Sequence, residues 1–452
     1  MKGNLLIAAL FIFIFPHNSI AQSWSPVCTT GQIDYFVTEL VSHNDDIYAG
    51  GSFNMVCGDS AHHVAHLNDG TWVNVGGGLP TPVSSLASIN GELYAACVAN
   101  SNSNNLYRLG DSTWEVVGGT FSLANATTLR QPNLYDVIEY NGDLVVSGEF
   151  ELIDGVQING IAKFVNGSWQ PLGNGLYGTL SQALPRAEPA QMCIYNGDLV
   201  VVGNFKSAGS SIVNGVARWD GTQWHSMGAG FDYVVKTACV FQGDLYIGGE
   251  FTGTGFTPLL YFAKWDGTQW IYAGRYFDNR VLKLKVVDNK LFIMGDFQQM
   301  IQNQVGATSA IRGVVYDNYG WRDMDGGADS DILAVETLGN GVIVGGGFVE
   351  VGNGFPYRRM ALWQDPVSTK NIMNYQNLTI QPNPTNGFIQ LNFDKNIQAI
   401  GQITNLEGKI LQQFNIQNKS QKTLNLSDLP KGLYVVSIRG KDVNIVEKVV
   451  LH

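Results

Sequence analysis

Asn196-Gly197-Asp198-Leu199-Val200-Val201-Val202-Gly203-Asn204-Phe205 reads as a tight turn, an apolar strand and a Gly-x-Phe ending. It returns 46 residues later as Gln242-Gly243-Asp244-Leu245-Tyr246-Ile247-Gly248-Gly249-Glu250-Phe251. The pattern recurs around Phe53, Phe150, Phe297 and Phe348, with the turn residue eight positions before each Phe. A degraded copy, Asn90-Gly91-Glu92-Leu93-Tyr94-Ala95-Ala96, places Ala99 where the Phe would fall. The seven anchors are spaced 46, 51, 55, 46, 46 and 51 residues apart. Self-similarity at such a period marks a repeat architecture in which each unit needs its neighbours to bury its faces.

Every unit has a second half. Val216-Ala217-Arg218-Trp219-Asp220-Gly221-Thr222-Gln223-Trp224 and Phe262-Ala263-Lys264-Trp265-Asp266-Gly267-Thr268-Gln269-Trp270 are strand, turn and Trp, and the late Trp reappears at Trp72, Trp114, Trp169 and Trp321. Asn-Gly and Asp-Gly favour hairpins because both central positions tolerate positive φ. One unit is therefore four antiparallel strands, which is a propeller blade. The seventh unit stops after Met360-Ala361-Leu362-Trp363 and lacks a fourth strand, while Ser23-Trp24-Ser25-Pro26-Val27 resembles the missing one. The expectation is an all-β chain: a seven-bladed β-propeller over residues 22–366, its last blade closed by the N-terminal strand, which removes two exposed edges. An open arc or an incomplete final blade is the alternative.

Composition agrees with many short strands. Of 452 residues, 53 are Gly, 11% are aromatic and only 14% are charged, against about 25% in typical globular chains. Residues 1–21 read as a signal peptide: Lys2, an apolar run from Leu5 to Phe15 too short to span a bilayer, and Ser19-Ile20-Ala21, with cleavage between Ala21 and Gln22. Residues 22–372 carry 18 Lys/Arg against 33 Asp/Glu. So acidic a body excludes nucleic acid and anionic membrane surfaces as partners. Five cysteines, an odd number without a CxxC, exclude a disulfide scaffold and a zinc ribbon.

The glycine pair before a loop and the late Trp resemble the kelch-like family. They look more specifically like bacterial repeats reading GG-x-F, then IA-x-W-DG, then W. This resemblance covers about residues 23–366 and implies a fold, not an activity. Beyond a linker at 367–375, residues 376–452 read as a small β-sandwich from the alternation in Phe388 to Phe393 and Val435 to Ile438. Pro382-Asn383-Pro384-Thr385-Asn386-Gly387, Glu407-Gly408-Lys409 and Leu429-Pro430-Lys431-Gly432-Leu433-Tyr434-Val435-Val436 resemble, in order, the type A C-terminal sorting domain of the type IX secretion system. The resemblance implies a Bacteroidota host, passage across both membranes, and a signal carried by Pro382, Asn383, Pro384, Gly387, Gly408, Lys409, Gly432, Tyr434 and Lys448.

Catalytic patterns are few. His62, His63 and His66 form one cluster, but His66 takes the strand position of Arg108, Lys163, Arg218 and Lys264, and His62 and His63 point apart if extended. They read as structural, with no metal or cofactor implied. Cys193 and Cys239 occupy equivalent places in adjacent blades and read as buried free thiols that do not face each other. Cys97 reads as core. Cys28 and Cys57 are the candidate disulfide, which would pin the N-terminus. Asn68-Asp69-Gly70-Thr71-Trp72 resembles the Asp box of sialidase-like propellers without its leading Ser. Galactose-oxidase-type copper chemistry lacks its histidines, and no P-loop, GxSxG, HExxH or EF-hand pattern occurs. The most variable loops are Thr120–Asn133, Tyr177–Pro189 and Met300–Ser309. The expected function is a secreted or surface-displayed monomeric module that binds a glycan or protein. The alternatives are a polysaccharide-active enzyme with two carboxylates at one ring face and a structural surface component.

Overall fold

The structure is a computed structural model that describes residues 23–28, 31–68, 70–98, 105–124, 131–180, 186–302, 306–339, 341–365, 379–405, 410–440 and 443–452. The expected cleavage at Ala21 and Gln22, the linker 367–375, the anchor Ala99 and the sorting positions Gly408 and Lys409 lie outside them. Among the described residues every regular element is a β-strand, and no helix is long and apolar enough to cross a membrane.

Seven four-stranded antiparallel sheets, resembling propeller blades, occupy residues 24–363. The fourth sheet is typical: Glu188–Tyr195, Asp198–Asn204, Val216–Trp219 and Trp224–Ser226, each strand paired with the next. The first three strands of the seventh sheet are Ile332–Leu338, Gly341–Gly346 and Met360–Trp363. Its fourth is Trp24–Pro26, with Trp24 opposite Trp363 and the Gln364 amide donating to the Ser23 carbonyl. In the first six sheets the hairpin turn between first and second strands has positive φ at both central residues, as at Asn196 (52°) and Gly197 (87°), the geometry that matches strand twist.

The first strands of successive sheets pack side by side, and that of the seventh packs on that of the first. Each carries the same irregularity near its start: the register slips between Val37 and Glu39, Val83 and Ser85, Leu134 and Asp136, Pro189 and Gln191, Val235 and Thr237, Val281 and Lys283, and Ile332 and Ala334. Such a bulge bends a strand and re-aims the next side chain. Those side chains stitch neighbouring sheets. Ser85 donates to Asp136 (3.1 Å), Met192 N to Asp136 (2.7 Å), Thr237 to Gln191 (2.6 Å) and Leu284 N to Thr237 (2.8 Å). At the seventh sheet the residue is the small Ala334, and there Lys283 of the sixth sheet reaches Glu39 of the first (2.7 Å).

The anchor aromatics Phe53, Phe150, Phe205, Phe251, Phe297 and Phe348 are at most 1% exposed. The outer Trp residues latch sheet to sheet. Trp114, Trp169, Trp224, Trp270 and Trp24 each donate their indole N–H to a carbonyl just past the outer strand of the preceding sheet: Val75, Gly118, Leu172, Met227 and Met324. The residue after the accepting carbonyl must turn with positive φ against the indole. At Gly119 (85°) a Cβ would lie 2.8 Å from the Trp169 ring.

Residues 379–452 form a separate sheet: Thr379–Gln381, the long strands Phe388–Thr404 and Ile410–Asn425, then Gly432–Gly440 and Val443–Leu451. Phe388–Thr404 pairs with Ile410–Asn425 along its length, with Thr379–Gln381 at one end and with Gly432–Gly440 at the other. Ile389, Leu391, Ile403, Leu424, Val436, Ile438 and Val449 lead its own apolar core.

Candidate functional site at the loop-bearing end

Antiparallel order puts two kinds of connection at one end of the sheets. The segments joining second to third strands leave from it, and those joining one sheet to the next arrive at it. The opposite end has mainly tight turns. The long connections carry extra hairpins, such as Ser207–Ala208 with Ser211–Ile212 and Gly253–Thr254 with Thr257–Pro258. The described parts of all three loops singled out as variable lie at this end, and function concentrates on such loops over a rigid scaffold. Exposed apolar side chains gather here as well: Met55, Val156, Ile212 and Phe256 on the hairpins, and Tyr35, Tyr177 and Tyr233 on the inter-sheet segments.

The variable residue of the Gly-x-Phe ending is polar in the middle sheets and acidic in three of them. Glu149, Asn204, Glu250 and Asp296 occupy that position in the third to sixth sheets. Glu250 meets Lys236 (3.2 Å) and Arg280 (3.5 Å), and Asp296 meets Arg280 and Arg312. Arg312 Nη1 bridges Asp296 Oδ1 (2.7 Å) and Asp331 Oδ1 (2.9 Å), and the two carboxyls hydrogen-bond to each other. Burial and the neighbouring Asp296 push Asp331 up to about 6. Asp296 stays low, because hydrogen bonds from Asp331 and Arg280 outweigh its burial. One proton shared by two touching carboxyls gives this split.

Over the third and fourth sheets the cluster differs. Glu149 faces Arg186 (3.5 Å) and the Tyr135 hydroxyl (3.5 Å), and Asn204 donates to Glu188 (2.7 Å). Burial, with the Glu149 and Glu188 charges, pushes the Tyr135 phenol up to about 12.

A second ionic group lies among the first strands. Glu39, 5% exposed, accepts from Lys283 and from Lys285 (3.0 Å), and Lys285 is also 3.8 Å from Glu336. Burial alone would raise Glu39, but the two ammonium groups hold it below the usual carboxylate range. Asp136 lacks such close cations, and burial drives it to about 6. Two shallow clefts flank the first sheet at the turn-bearing end. The more polar, about 450 Å³, is lined by His43, Tyr48, Glu92, Arg108 and Glu115. Its Arg108 is already held by Glu92 and Glu115.

The residues singled out in the sequence fall as follows. His62 is exposed and bonds Ser60 (3.0 Å), His63 is half-buried, and His66 stacks on Tyr48 with ring centroids 5.3 Å apart. Among the described residues no group of three or more His, Cys, Asp or Glu converges to hold a metal ion. His66, Lys163, Arg218 and Lys264 each lie beside the acid that opens their sheet's second strand: Asp46, Asp143, Asp198 and Asp244. Cys28 and Cys57 are joined by a disulfide, and Cys97 is buried and free. Cys193 and Cys239 are both free, as expected; Cys239 is buried and Cys193 only partly so. Burial, with a smaller contribution from Cys193, raises the Cys239 thiol.

In the last sheet, Asn383 clasps the final strand, donating to the Lys448 carbonyl (2.7 Å) and accepting from Val450 N (3.0 Å). Gly387 N donates to Thr385, and a Cβ at Gly387 would stand 2.3 Å from the Ser427 hydroxyl. Tyr434 is buried with its hydroxyl on the Pro430 carbonyl, Gly432 is open, and the Lys448 side chain is exposed. The flanking residues Pro382 and Pro384 follow cis peptide bonds. Thr385, 2% exposed and bonded to Val450 and His452, was not singled out by its sequence, although it sits inside the quoted block.

Residues 379–452 match the secretion system C-terminal sorting domain. This tail addresses the chain to the type IX secretion machinery, which exports it to the cell surface or the extracellular space. No curated protein matches the chain in sequence. Among solved structures it is similar to the extracellular domain of a hybrid two-component system from B. thetaiotaomicron. There the identity is 8% and the TM-score 0.40, with 92% of this chain and 55% of that one covered, so the chain spans about half of that protein's length. It is also similar to the WD40 β-propeller domain of Doa1 (9% identity, TM-score 0.38, 76% and 98% covered). A third is a Bacteroides ovatus protein of a xyloglucan locus, GH43B (11%, 0.31, 82% and 90%).

Proposed function

We propose that the chain is an exported seven-bladed β-propeller that binds a glycan or protein through its loop-bearing end. In this reading residues 1–21 are removed on export. Residues 376–452, a small β-sandwich, serve as the export address of a Bacteroidota protein, and the working part is a kelch-like monomer. The observation that carries the reading is the gathering, at one end of the sheets, of the long loops, the exposed aromatic and aliphatic side chains and the charged Gly-x-Phe positions. A rigid scaffold with such an end suits recognition. Catalysis is the weaker reading, because Asp296 and Asp331 are both already held by one Arg312 nitrogen. The test is to screen the purified full chain on glycan and protein arrays at several salt and calcium concentrations. A ligand lost on Met55→Ser or Tyr177→Ala is the expected result, and an absence of ligand throughout would refute the reading.

A further inference from the structure

Four inter-sheet segments end in the same clamp. Asp34, Asp232, Asp278 and Asp329 each accept hydrogen bonds from two backbone amides, 20 and 21 residues later, at the root of their sheet's hairpin. The donors are Asn54 and Met55, Thr252 and Gly253, Gln298 and Gln299, and Val349 and Glu350. The position is three residues before the bulged start of the first strand. In the third and fourth sheets it holds Gln131 and Arg186 instead, and these two sheets follow the long loops.

Arg186 is unlike the other arginines at this end. Arg280 and Arg312 spend their donors on carboxylates at hydrogen-bonding distance. The Arg186 side chain is 14% exposed, its Nε is buried without a hydrogen-bond partner, and its Nη1, also buried, meets Glu149 Oε1 only as an ion pair at 3.5 Å. The Asn133 Oδ1 is likewise buried and unpaired. Buried donors and acceptors left unmade are costly and point to a missing partner. Around them are Glu149, Glu188 and the Tyr135 hydroxyl. Tyr177, an exposed ring, forms a β-bridge with Arg186. Residues opposed in an antiparallel pair project to the same side.

We infer that this sector, over the third and fourth sheets, is a binding subsite for a neutral oligosaccharide, with Arg186, Glu149, Glu188 and Tyr135 meeting its hydroxyls and Tyr177 its apolar ring face. The inference rests on the binding reading above. A hydroxyl both accepts from a guanidinium and donates to a carboxylate, which neither a carboxylate nor an ammonium ion does. An anion would meet Glu149, Glu188 and an acidic body, and a cation would meet Arg186. The phenol of Tyr177 offers a flat amphipathic surface at low entropic cost.

The experiment is calorimetric titration of the full chain with hexasaccharides of β-1,4-linked glucose, xylose and mannose and of α-1,4-linked glucose, with an oligogalacturonate as the acidic comparison. At least one neutral hexasaccharide binds, the acidic one does not, and Tyr177→Ala and Arg186→Lys each weaken binding at least about tenfold. Phe256→Ser, on the fifth sheet, leaves it unchanged. Glu188→Gln serves in place of Arg186→Lys if the latter melts early. Three results overturn the subsite: no neutral hexasaccharide binds at millimolar concentration, the Tyr177 and Glu188 variants bind like the parent, or only Phe256→Ser abolishes binding. A protein ligand from the arrays with no sugar bound sinks this inference and leaves the binding reading standing. Silence in both assays sinks both.

Discussion

Trp224 and Trp72 occupy the same place in the fourth and first sheets, but only one makes the indole latch. Trp224 donates to the Leu172 carbonyl (2.9 Å), whereas the buried Nε1 of Trp72 has no partner. Replacing each with Phe removes similar apolar area, so the difference isolates the hydrogen bond. Trp224→Phe leaves the Leu172 carbonyl unsatisfied and is expected to cost about 1 kcal/mol more than Trp72→Phe. Urea denaturation of the two variants measures this, and equal losses would remove the latch from the account. Asp136 gives a second prediction at this scale. Its folded pKa of about 6 lies above the ordinary value of 3.8, so between these values the folded state holds a proton that the unfolded state has released. That contribution is fully present below about pH 4, falls as pH rises towards 6 and is then flat, on the order of 2–3 kcal/mol at most. Asp136→Asn should therefore flatten the stability profile between pH 4 and 6, and an unchanged slope there would place the titration elsewhere.

Among elements, the accessory hairpins depend on the aspartate clamps. Asp232 accepts from Thr252 N and Gly253 N and also bonds the Thr252 hydroxyl. Asp232→Ala removes these acceptors from an exposed hairpin without touching the sheet beneath it. The expected outcome is faster amide exchange confined to residues 252–258, a local loss of about 1–2 kcal/mol, with the global melt nearly unchanged. A matching drop in global stability would mean the hairpin is integral to the fifth sheet.

The clamps also show what was legible beforehand. Turns and strands announce themselves locally, because Asn-Gly needs positive φ and a buried strand needs an apolar run, and so the repeat and the closing Trp24 strand were readable. The clamp joins residues 20 apart, and the charged pairs Glu250–Arg280 and Asp296–Asp331 join adjacent sheets at spacings set by loop length. Such partners become visible only when the register is fixed. The Gly-x-Phe ending was quoted as a strand terminus, yet its variable residue is the one that carries charge to the loop-bearing end.

At the scale of the whole molecule, the seam between the seventh and first sheets is built differently from the rest. Most of the other seams have an indole latch, but Trp72, which should latch here, has no acceptor. The strand that completes the seventh sheet is only three residues long, Trp24–Pro26, and is the sole part of that sheet from the other end of the sequence. Cys28 follows it directly and is bonded to Cys57 on the first sheet's hairpin, with a Cα–Cα distance of 5.1 Å. The disulfide thus stands at the seam that lacks a latch, and it tethers the segment whose loss would open the ring. For a sequence separation of 29, loop-closure entropy assigns the cross-link about 3–4 kcal/mol. Cys57→Ser should lower the urea midpoint by a corresponding amount. If the cross-link acts by holding the closing strand, its effect must depend on that strand. Trp24→Ala, which empties a fully buried site, should then destabilise by several kcal/mol alone, and adding Cys57→Ser should cost much less than it does in the parent. A double-mutant cycle reads that coupling directly. Strict additivity would mean the disulfide stabilises the first sheet's hairpin alone, and the ring would then be closed by Trp24 and its strand pairing without covalent help.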